Sequence, residues 1–150
     1  MTDIVRTNSN NKDFVGLVEA LDADLAIRDG KDHAFYARYN KIDMIRYVVL
    51  AFEDGEPMGC GAIKEYDPGT MEVKRMYVPP RSRKRGIATK VLAELEKWAR
   101  ELGYARCILE TGKKQPEAIA LYGRSGYTVI PNYGQYAGVD NSVCFEKAIG

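Results

Sequence analysis

The spacing of hydrophobic and polar residues changes several times along the chain, and each spacing predicts a different element of secondary structure. Runs enriched in β-branched and aromatic residues predict strands at residues 4–7, 45–52, 58–64, 71–78, 105–110, 127–130 and 142–147. Turn sequences separate several of these runs, such as EDGEP at residues 53–57 and YDPG at residues 66–69. The second, third and fourth strands should therefore follow one another in antiparallel order.

Three other segments carry apolar residues at the helical spacing of three or four positions. These residues are Phe14, Leu17, Val18, Leu21 and Leu25; Ile87, Val91, Leu95, Trp98 and Leu102; and Ala118, Leu121 and Tyr122. Gly103 should end the second helix, and Pro116 suits the first turn of the third. A further short helix is predicted at residues 33–39, where Gly30 and mixed residue types blur the pattern.

Composition limits the kinds of protein that this chain can be. Its 150 residues, 45% hydrophobic and 29% charged, suit one compact domain over residues 1–150. The formal net charge of +1 favours neither a nucleic-acid nor a membrane partner. No run approaches the roughly 20 apolar residues of a membrane span, and the start lacks a signal-peptide pattern, so we expect a cytoplasmic protein. Cys60, Cys107 and Cys144 lie outside any CxxC or paired-histidine spacing, which favours buried free thiols.

The segment at residues 78–103, VPPRSRKRGIATKVLAELEKWARELG, is the most informative part of the chain. A strand-like run ends at two prolines, passes through a basic turn that contains Gly86 and continues into an amphipathic helix. Backbone N–H groups at a helix start have no partner inside the helix and lie at the positive end of its dipole. A phosphate can accept hydrogen bonds from them, and Gly86 and Ala88 keep side chains out of its way. The segment therefore predicts an anion site.

The run RKRGIA at residues 83–88 resembles the acyl-CoA-binding signature of the GNAT superfamily of N-acetyltransferases, Gln/Arg-x-x-Gly-x-Gly/Ala. The order of strands and helices is also similar to that family from about residue 48 to about residue 145. The resemblance implies an α/β (α+β) fold with a mixed, mostly antiparallel central sheet of about six to seven strands, flanked by about four helices. It also implies an enzyme that transfers an acetyl group from acetyl-CoA to a primary amine.

The same resemblance assigns cofactor-binding residues to two main segments. The signature turn and helix start would surround the pyrophosphate with backbone groups and positive charge through Arg83, Lys84, Arg85, Gly86, Ile87, Ala88 and Thr89. On the preceding strand, Met76 and Val78, with Tyr77 between them, would pair with the pantetheine arm as an added strand does. Gln115 stands where the family often has Asn to hold that arm, and Gln can make similar hydrogen bonds with a longer reach.

Acylation of an amine needs a base, because an alkylammonium has a pKa of about 10 and freeing its lone pair at pH 7 costs about 4 kcal/mol. Glu72 is the first candidate, at a distance before Gly86 similar to that of the general-base glutamate in histone-acetylating members. Glu110 is the second candidate, since strand ends border the ligand crevice in open α/β sheets. Either could act through water, and either could instead be a solvated carboxylate or half of an ion pair.

Tyr122 lies in a helix end similar to the family's A-x-x-L-Y-x-x-x-G-[FY] pattern, in which the matching tyrosine protonates the departing CoA thiolate. A phenol suits this role because it stays protonated at neutral pH, while the alternative is a tyrosine that only packs in the core. The resemblance implies direct attack in a ternary complex, with backbone N–H groups near Val78 polarising the thioester carbonyl. It implies neither a covalent intermediate nor a metal.

Several alternatives stay open at this point. A non-catalytic acyl-CoA-binding regulatory module would have the same fold without turnover, and the basic run at residues 81–85 would suit a nucleic acid, although it is short. The acceptor is a small-molecule or peptide amine that no motif names. Tyr36, Tyr39, Tyr133 and Tyr136 are candidates for its pocket wall. A homodimer is suggested by analogy with the family alone.

Overall fold

The computed structural model describes residues 2–29 and 45–150 of the chain. The strands in these ranges are β1 (Thr2–Thr7), β2 (Tyr47–Glu53), β3 (Glu56–Asp67), β4 (Thr70–Tyr77), β5 (Arg106–Gly112), β6 (Thr128–Ile130) and β7 (Ser142–Ala148). The α-helices are α1 (Lys12–Asp29), α2 (Ile87–Glu101) and α3 (Pro116–Arg124), and short 3₁₀ helices occur at Pro80–Ser82 and Gly134–Tyr136. The seven predicted strands and three of the predicted helices are confirmed. The helix predicted at residues 33–39, with Tyr36 and Tyr39, lies outside the described residues.

The seven strands form one sheet in the order β1-β2-β3-β4-β5-β7-β6. Neighbouring strands are antiparallel, with the exception of β4 and β5, which are parallel. The mixed, mostly antiparallel sheet of the sequence prediction is therefore confirmed. About four helices were expected, and the described part of the chain contains three α-helices.

Two tight turns connect the first antiparallel strands. Between β2 and β3, Asp54 and Gly55 both have positive φ, at 50° and 78°, as a two-residue hairpin turn of the primed type requires. Between β3 and β4, the N–H of Gly69 donates a hydrogen bond of 3.0 Å to Oδ1 of Asp67. These local turn sequences fix the antiparallel register that the hydrophobic pattern suggested.

One face of the sheet is covered by α2. The buried residues of this helix are Ile87, Val91, Leu92, Leu95, Glu96 and Ala99. Leu102, which the helical spacing placed on the same face, is instead 40% exposed. The reason is that α2 ends at Glu101 and Leu102 is already its C-cap residue. Gly103 follows with φ of 94°, so the predicted helix end is confirmed.

The opposite face of the sheet is covered by α1. Asn11 begins this helix, because its side-chain oxygen accepts a hydrogen bond of 2.9 Å from the N–H of Asp13. Buried Phe14 and Val18 of α1 pack with Val48 and Leu50 of β2. Val49 and Ala51, which alternate with Val48 and Leu50 along β2, belong to the core under α2, as the alternation of side chains along a strand requires.

The structure also bears on two predictions about the chain's environment. Cys60, Cys107 and Cys144 are buried free thiols, as expected. Burial raises the pKa of the Cys60 thiol to about 12, and that of Cys107 to about 12, so both remain protonated at neutral pH. Across residues 2–29 and 45–150, none of the helices combines the length and the apolar character that crossing a membrane would require.

Candidate active site

The central feature of the sheet is the separation of β4 from β5. Residues 70–72 pair with residues 106–108, and within the described chain no further pairs join these two strands. On its other side β4 contains a bulge, since Cys60 lies opposite Tyr77 while Ala62 lies opposite Lys74. Arg75 in this bulge has φ of 62°. The separation and the bulge together open a cleft beside the second half of β4.

A cavity of about 650 Å³ lies in this cleft. At one end it is lined by the predicted cofactor-binding residues Met76, Tyr77, Val78, Arg83, Lys84, Gly86, Ile87, Ala88 and Thr89. Glu72, Glu110, Gln115 and Tyr122 line it as well. Arg85 is not among the lining residues, because its guanidinium pairs instead with Glu53 Oε2, at 3.2 Å. The tertiary structure thus brings all but one of the predicted site residues to one cavity.

The start of α2 forms one end of the cavity. The N–H of Lys90 makes the first α-helical hydrogen bond, to the carbonyl of Gly86 at 3.1 Å, so the N–H groups before it have no acceptor inside the helix. The first turn carries no acidic residue. A methyl group at Gly86 would meet no other atom within 4 Å, so the space in front of the helix is open. Gly86 also has φ of 75°, a reason for glycine that the sequence pattern did not give.

The basic turn directs its side chains to different places. The Nε of Arg83 donates a hydrogen bond of 2.8 Å to the carbonyl of Val78, and its Nη2 lies 3.9 Å from Asp24 Oδ2. Arg83 therefore lies across the end of β4, while Arg85 faces β2 through its ion pair with Glu53. Of the three predicted cations, Arg83 and Lys84 line the cavity.

Glu72 lies near the other end of the cavity and is 9% exposed. The hydroxyl of Tyr133 donates a hydrogen bond of 2.7 Å to its Oε2, and Nζ of Lys74 lies 3.8 Å from its Oε1. Burial raises the pKa of Tyr133, and the charge of Glu72 raises it further, so that this hydroxyl remains a donor. Glu72 is therefore a buried carboxylate with a fixed orientation, and it is not the solvated carboxylate of one alternative interpretation. The other alternative, half of an ion pair, is met by its contact with Lys74.

Glu110 reaches the same region from the end of β5. Its Oε2 accepts a hydrogen bond of 2.7 Å from the hydroxyl of Ser142 on β7. Tyr136 is buried nearby, and its pKa is raised by burial, by the charge of Glu110 and by the charge of Glu72. Both carboxylates therefore raise the pKa of the same tyrosine, and Glu72, Glu110 and Tyr136 all line the cavity.

Tyr122 both packs in the core and lines the cavity. Its ring lies 5.8 Å from the rings of Tyr127 and Phe145, and the residue is 5% exposed. Burial raises the pKa of its hydroxyl, and the charge of Glu110 raises it further, so that the phenol stays protonated. Packing and proton donation are compatible at this position, since packing fixes the ring that would present the hydroxyl.

Some residues of the cavity were missed by sequence reasoning. Lys74 lines it, and strand alternation from Glu72 was a signal that could have found it. Asp24 and Arg28 of α1 also line it, and Nε of Arg28 lies 3.1 Å from Oδ2 of Asp24. Their spacing of four along a helix was visible, but the ion pair of Arg28 with Glu117 on α3 was not. That contact joins two elements that are remote in sequence.

Comparison with known proteins defines the class. Residues 14–127 match the model described as the Acetyltransferase (GNAT) family. The chain therefore belongs to the GNAT family, as its signature predicted, and it is an acyltransferase.

Individual relatives agree with this assignment. The chain is 38% identical over 106 residues to the IAA acetyltransferase of Azospirillum brasilense, which covers 70% of this chain and 69% of that protein. A proposed acyl-CoA N-acyltransferase of Klebsiella pneumoniae superposes with a TM-score of 0.84 at 30% identity, over 100% of this chain and 99% of the other. The PaiA N-acetyltransferase of Thermoplasma acidophilum, solved in complex with coenzyme A, has a TM-score of 0.73 at 17% identity, over 99% of each chain. At 17% identity, the similarity to the PaiA protein shows a shared fold only.

Proposed function

We propose that this protein transfers the acetyl group of acetyl-CoA to a primary amine by direct attack within a ternary complex. The observation that carries the proposal is the continuous cavity that reaches from the start of α2 to the carboxylates of buried Glu72 and half-buried Glu110. One end offers backbone N–H groups and cations to phosphates, and the other offers acceptors of a proton. A reaction between a phosphate-bearing thioester and an amine needs both.

The pyrophosphate of acetyl-CoA would bind at the start of α2. The backbone of Gly86, Ile87, Ala88 and Thr89 supplies the donors, and the open space in front of Gly86 leaves room for the ligand. Arg83 and Lys84 add positive charge from the lining. Arg85 would reach the phosphates only by leaving Glu53, so we assign it to the rim of the site.

The pantetheine arm would run along the second half of β4. Beyond residue 72 this strand has no ladder pairs with β5 in the described chain, so its edge is available to an added extended chain. Met76, Tyr77 and Val78 line the cavity along this edge, and Gln115 lines it at the N-cap of α3. Glu72 and Val78 are at most about 20 Å apart along the strand, at about 3.3 Å per residue. The arm would therefore carry the thioester toward the glutamates. The PaiA relative that was solved with coenzyme A supports the choice of cofactor.

Glu72 is the first choice for the base. In the proposed reaction it removes a proton from the bound ammonium, directly or through water, and the free lone pair attacks the thioester carbonyl. Tyr133 and Lys74 hold its carboxylate at the cavity wall. Glu110 is the second choice, since Ser142 orients it at the same end of the cavity. Backbone N–H groups on the open edge of β4, between Glu72 and Val78, would stabilise the negative charge that develops on the carbonyl oxygen.

Tyr122 would supply the proton for the leaving group. As the C–N bond forms and the C–S bond breaks, the CoA thiolate takes the phenol proton. The ammonium loses two protons: the first resides on the glutamate, and the second, released from the nitrogen as the amide forms, returns the phenolate of Tyr122 to phenol, directly or through water. The raised pKa of Tyr122 keeps that proton available over the physiological range. The buried ring, fixed by Tyr127 and Phe145, keeps the hydroxyl in one place.

Calorimetric titration with acetyl-CoA tests the cofactor, with dephospho-CoA and ATP as controls. We expect saturable one-site binding that prefers acetyl-CoA, and absence of binding would contradict the cofactor assignment. Release of free CoA thiol is then measured in the presence of a panel of amines, with the acetylated product identified by mass spectrometry. Tight binding of acetyl-CoA without thiol release for any amine would instead support the non-catalytic binding module.

A further inference from the structure

Two adjacent basic residues of β4 lie at the carboxylate end of the cavity. Lys74 and Arg75 both line it, and Arg75 is 6% exposed. The side chain of Lys74 has 13% of its surface exposed, and its ammonium lies 3.8 Å from the carboxylate of Glu72. In the proposed function Lys74 only supports the carboxylate of Glu72 and neither cation binds a ligand, because the phosphates of acetyl-CoA would bind at the opposite end. These two positive charges therefore stand where the acceptor amine, not the cofactor, would bind.

Placing a cation in this position is costly for the free protein. Burial lowers the pKa of Lys74, the charges of Glu72 and Glu110 raise it, and the charge of Arg75 lowers it. An anionic group bound beside the ammonium would offset the lost hydration, and it would also be attracted by Arg75. A second positive group placed there would be repelled by both.

The charges that face the acceptor end favour one kind of molecule. On β4 and β5 the charged groups of the lining are two negative ones, Glu72 and Glu110, and two positive ones, Lys74 and Arg75. A zwitterion matches this set, with its ammonium toward the glutamates and its acidic group toward Lys74. A polyamine would bring a second ammonium to the basic pair, while a plain alkylamine would leave the basic pair without an additional anion.

We propose that the acceptor of this enzyme is a small amine that carries a carboxylate close to its amino group, as an amino acid does, and that Lys74 binds the carboxylate. Arg75 adds positive potential at the same place. This inference rests on the proposed acetyl transfer, and it names the class of acceptor.

The experiment compares matched pairs of acceptors in the thiol-release assay at saturating acetyl-CoA. Each pair contains an L-amino acid and the amine that lacks only its carboxylate, for example phenylalanine with phenethylamine and leucine with isoamylamine. For the preferred side chain we expect kcat/KM to be at least about tenfold higher for the amino acid, since a hydrogen bond between charged groups is worth about that factor.

Variants of Lys74 assign the effect to this residue. In Lys74→Met the ratio of kcat/KM between the two members of a pair should fall about tenfold, mainly through the KM of the amino acid. Lys74→Arg should restore part of the ratio, because it keeps the charge. Lys97→Met is the matched control, since Lys97 is an exposed lysine of α2 outside the lining, and its ratio should equal that of the unaltered protein. Titration with acetyl-CoA shows that each variant is folded.

Two results would overturn the inference while leaving the proposed acetyl transfer intact. One is acetylation of the carboxylate-free amines with equal or higher kcat/KM. The other is an equal loss for both members of a pair in Lys74→Met, which would make Lys74 only a support for Glu72. Failure to acetylate any amine of either kind, with acetyl-CoA bound, would overturn the proposed transfer itself and the inference with it.

Discussion

The two ends of the cavity are built in different ways. The phosphate end comes from one continuous segment, residues 78–89, and offers mainly backbone groups whose positions follow from a turn and a helix start. The carboxylate end is assembled from β4, β5, β7 and the 3₁₀ helix before β7, and it offers side chains that orient one another. At the phosphate end an added side chain should weaken the binding of acetyl-CoA. At the carboxylate end the loss of a side chain should lower kcat.

The largest expected effect is at the phosphate end. Gly86→Glu should weaken acetyl-CoA binding more than about a hundredfold, because it adds bulk and negative charge where the pyrophosphate would bind. Gly103→Glu is a matched control, since Gly103 also has positive φ, 94° against 75° at Gly86, and no atom within 4 Å of an added methyl group. Titration of both variants measures the difference. If folded Gly86→Glu bound acetyl-CoA as tightly as the unaltered protein, the assignment of the phosphate site would be wrong.

The second effect concerns the carboxylate end and decides between the two bases. If Glu72 is the base, Glu72→Gln should lower kcat about a hundredfold near pH 7. The loss should shrink as pH rises toward the amine pKa of about 10, where the substrate is already deprotonated. Steady-state rates between pH 6 and pH 10 give the comparison with Glu110→Gln. A loss that is the same at every pH would assign Glu72 to substrate binding and favour Glu110.

The third effect tests whether Tyr122 acts as an acid or only packs. Tyr122→Phe keeps the ring against Tyr127 and Phe145 and should lower kcat about tenfold, less than the usual factor for an acid because a thiol already has a pKa near 8.5. Tyr127→Phe is the control, since it removes a neighbouring hydroxyl, 2.8 Å from Glu96, outside the cavity lining. That control should cost about 1–3 kcal/mol of unfolding free energy and little kcat. Equal kcat values for Tyr122→Phe and Tyr127→Phe would mean that Tyr122 only packs in the core.

The smallest effect probes how the carboxylate end is held in place. Tyr133→Phe removes the hydroxyl that donates to Glu72 and should lower kcat about fivefold, because the hydrogen bond that orients the carboxylate is worth about 1 kcal/mol. Tyr104→Phe removes a comparable hydroxyl that donates to exposed Glu65, where the same pairing raises the pKa of Tyr104 to about 12. Its kcat should not change. An effect of Tyr133→Phe on acetyl-CoA affinity rather than on kcat would contradict the assignment of this end to the acceptor.

The difference between the two ends also explains what could be predicted. The signature around Gly86 is local, so its helix start, its open space and most of its lining residues follow from the order of residues. Arg85 is the exception within this segment, because its side chain forms an ion pair with Glu53 on β2 and does not line the cavity. Lys74 could have been found by counting along the strand from Glu72. The single domain, the homodimer and the cytoplasmic location stay predictions.

The sequence by itself determined the seven strands, three of the helices, the family and the candidate residues, because strand alternation, helical spacing and glycine turns are set by near neighbours. Only the tertiary structure decided which distant side chains meet. The bonds from Tyr133 to Glu72 and from Ser142 to Glu110 each join residues more than thirty positions apart. They exist because β4 and β5 lie side by side and then separate, which is a property of strand pairing that no local pattern contains.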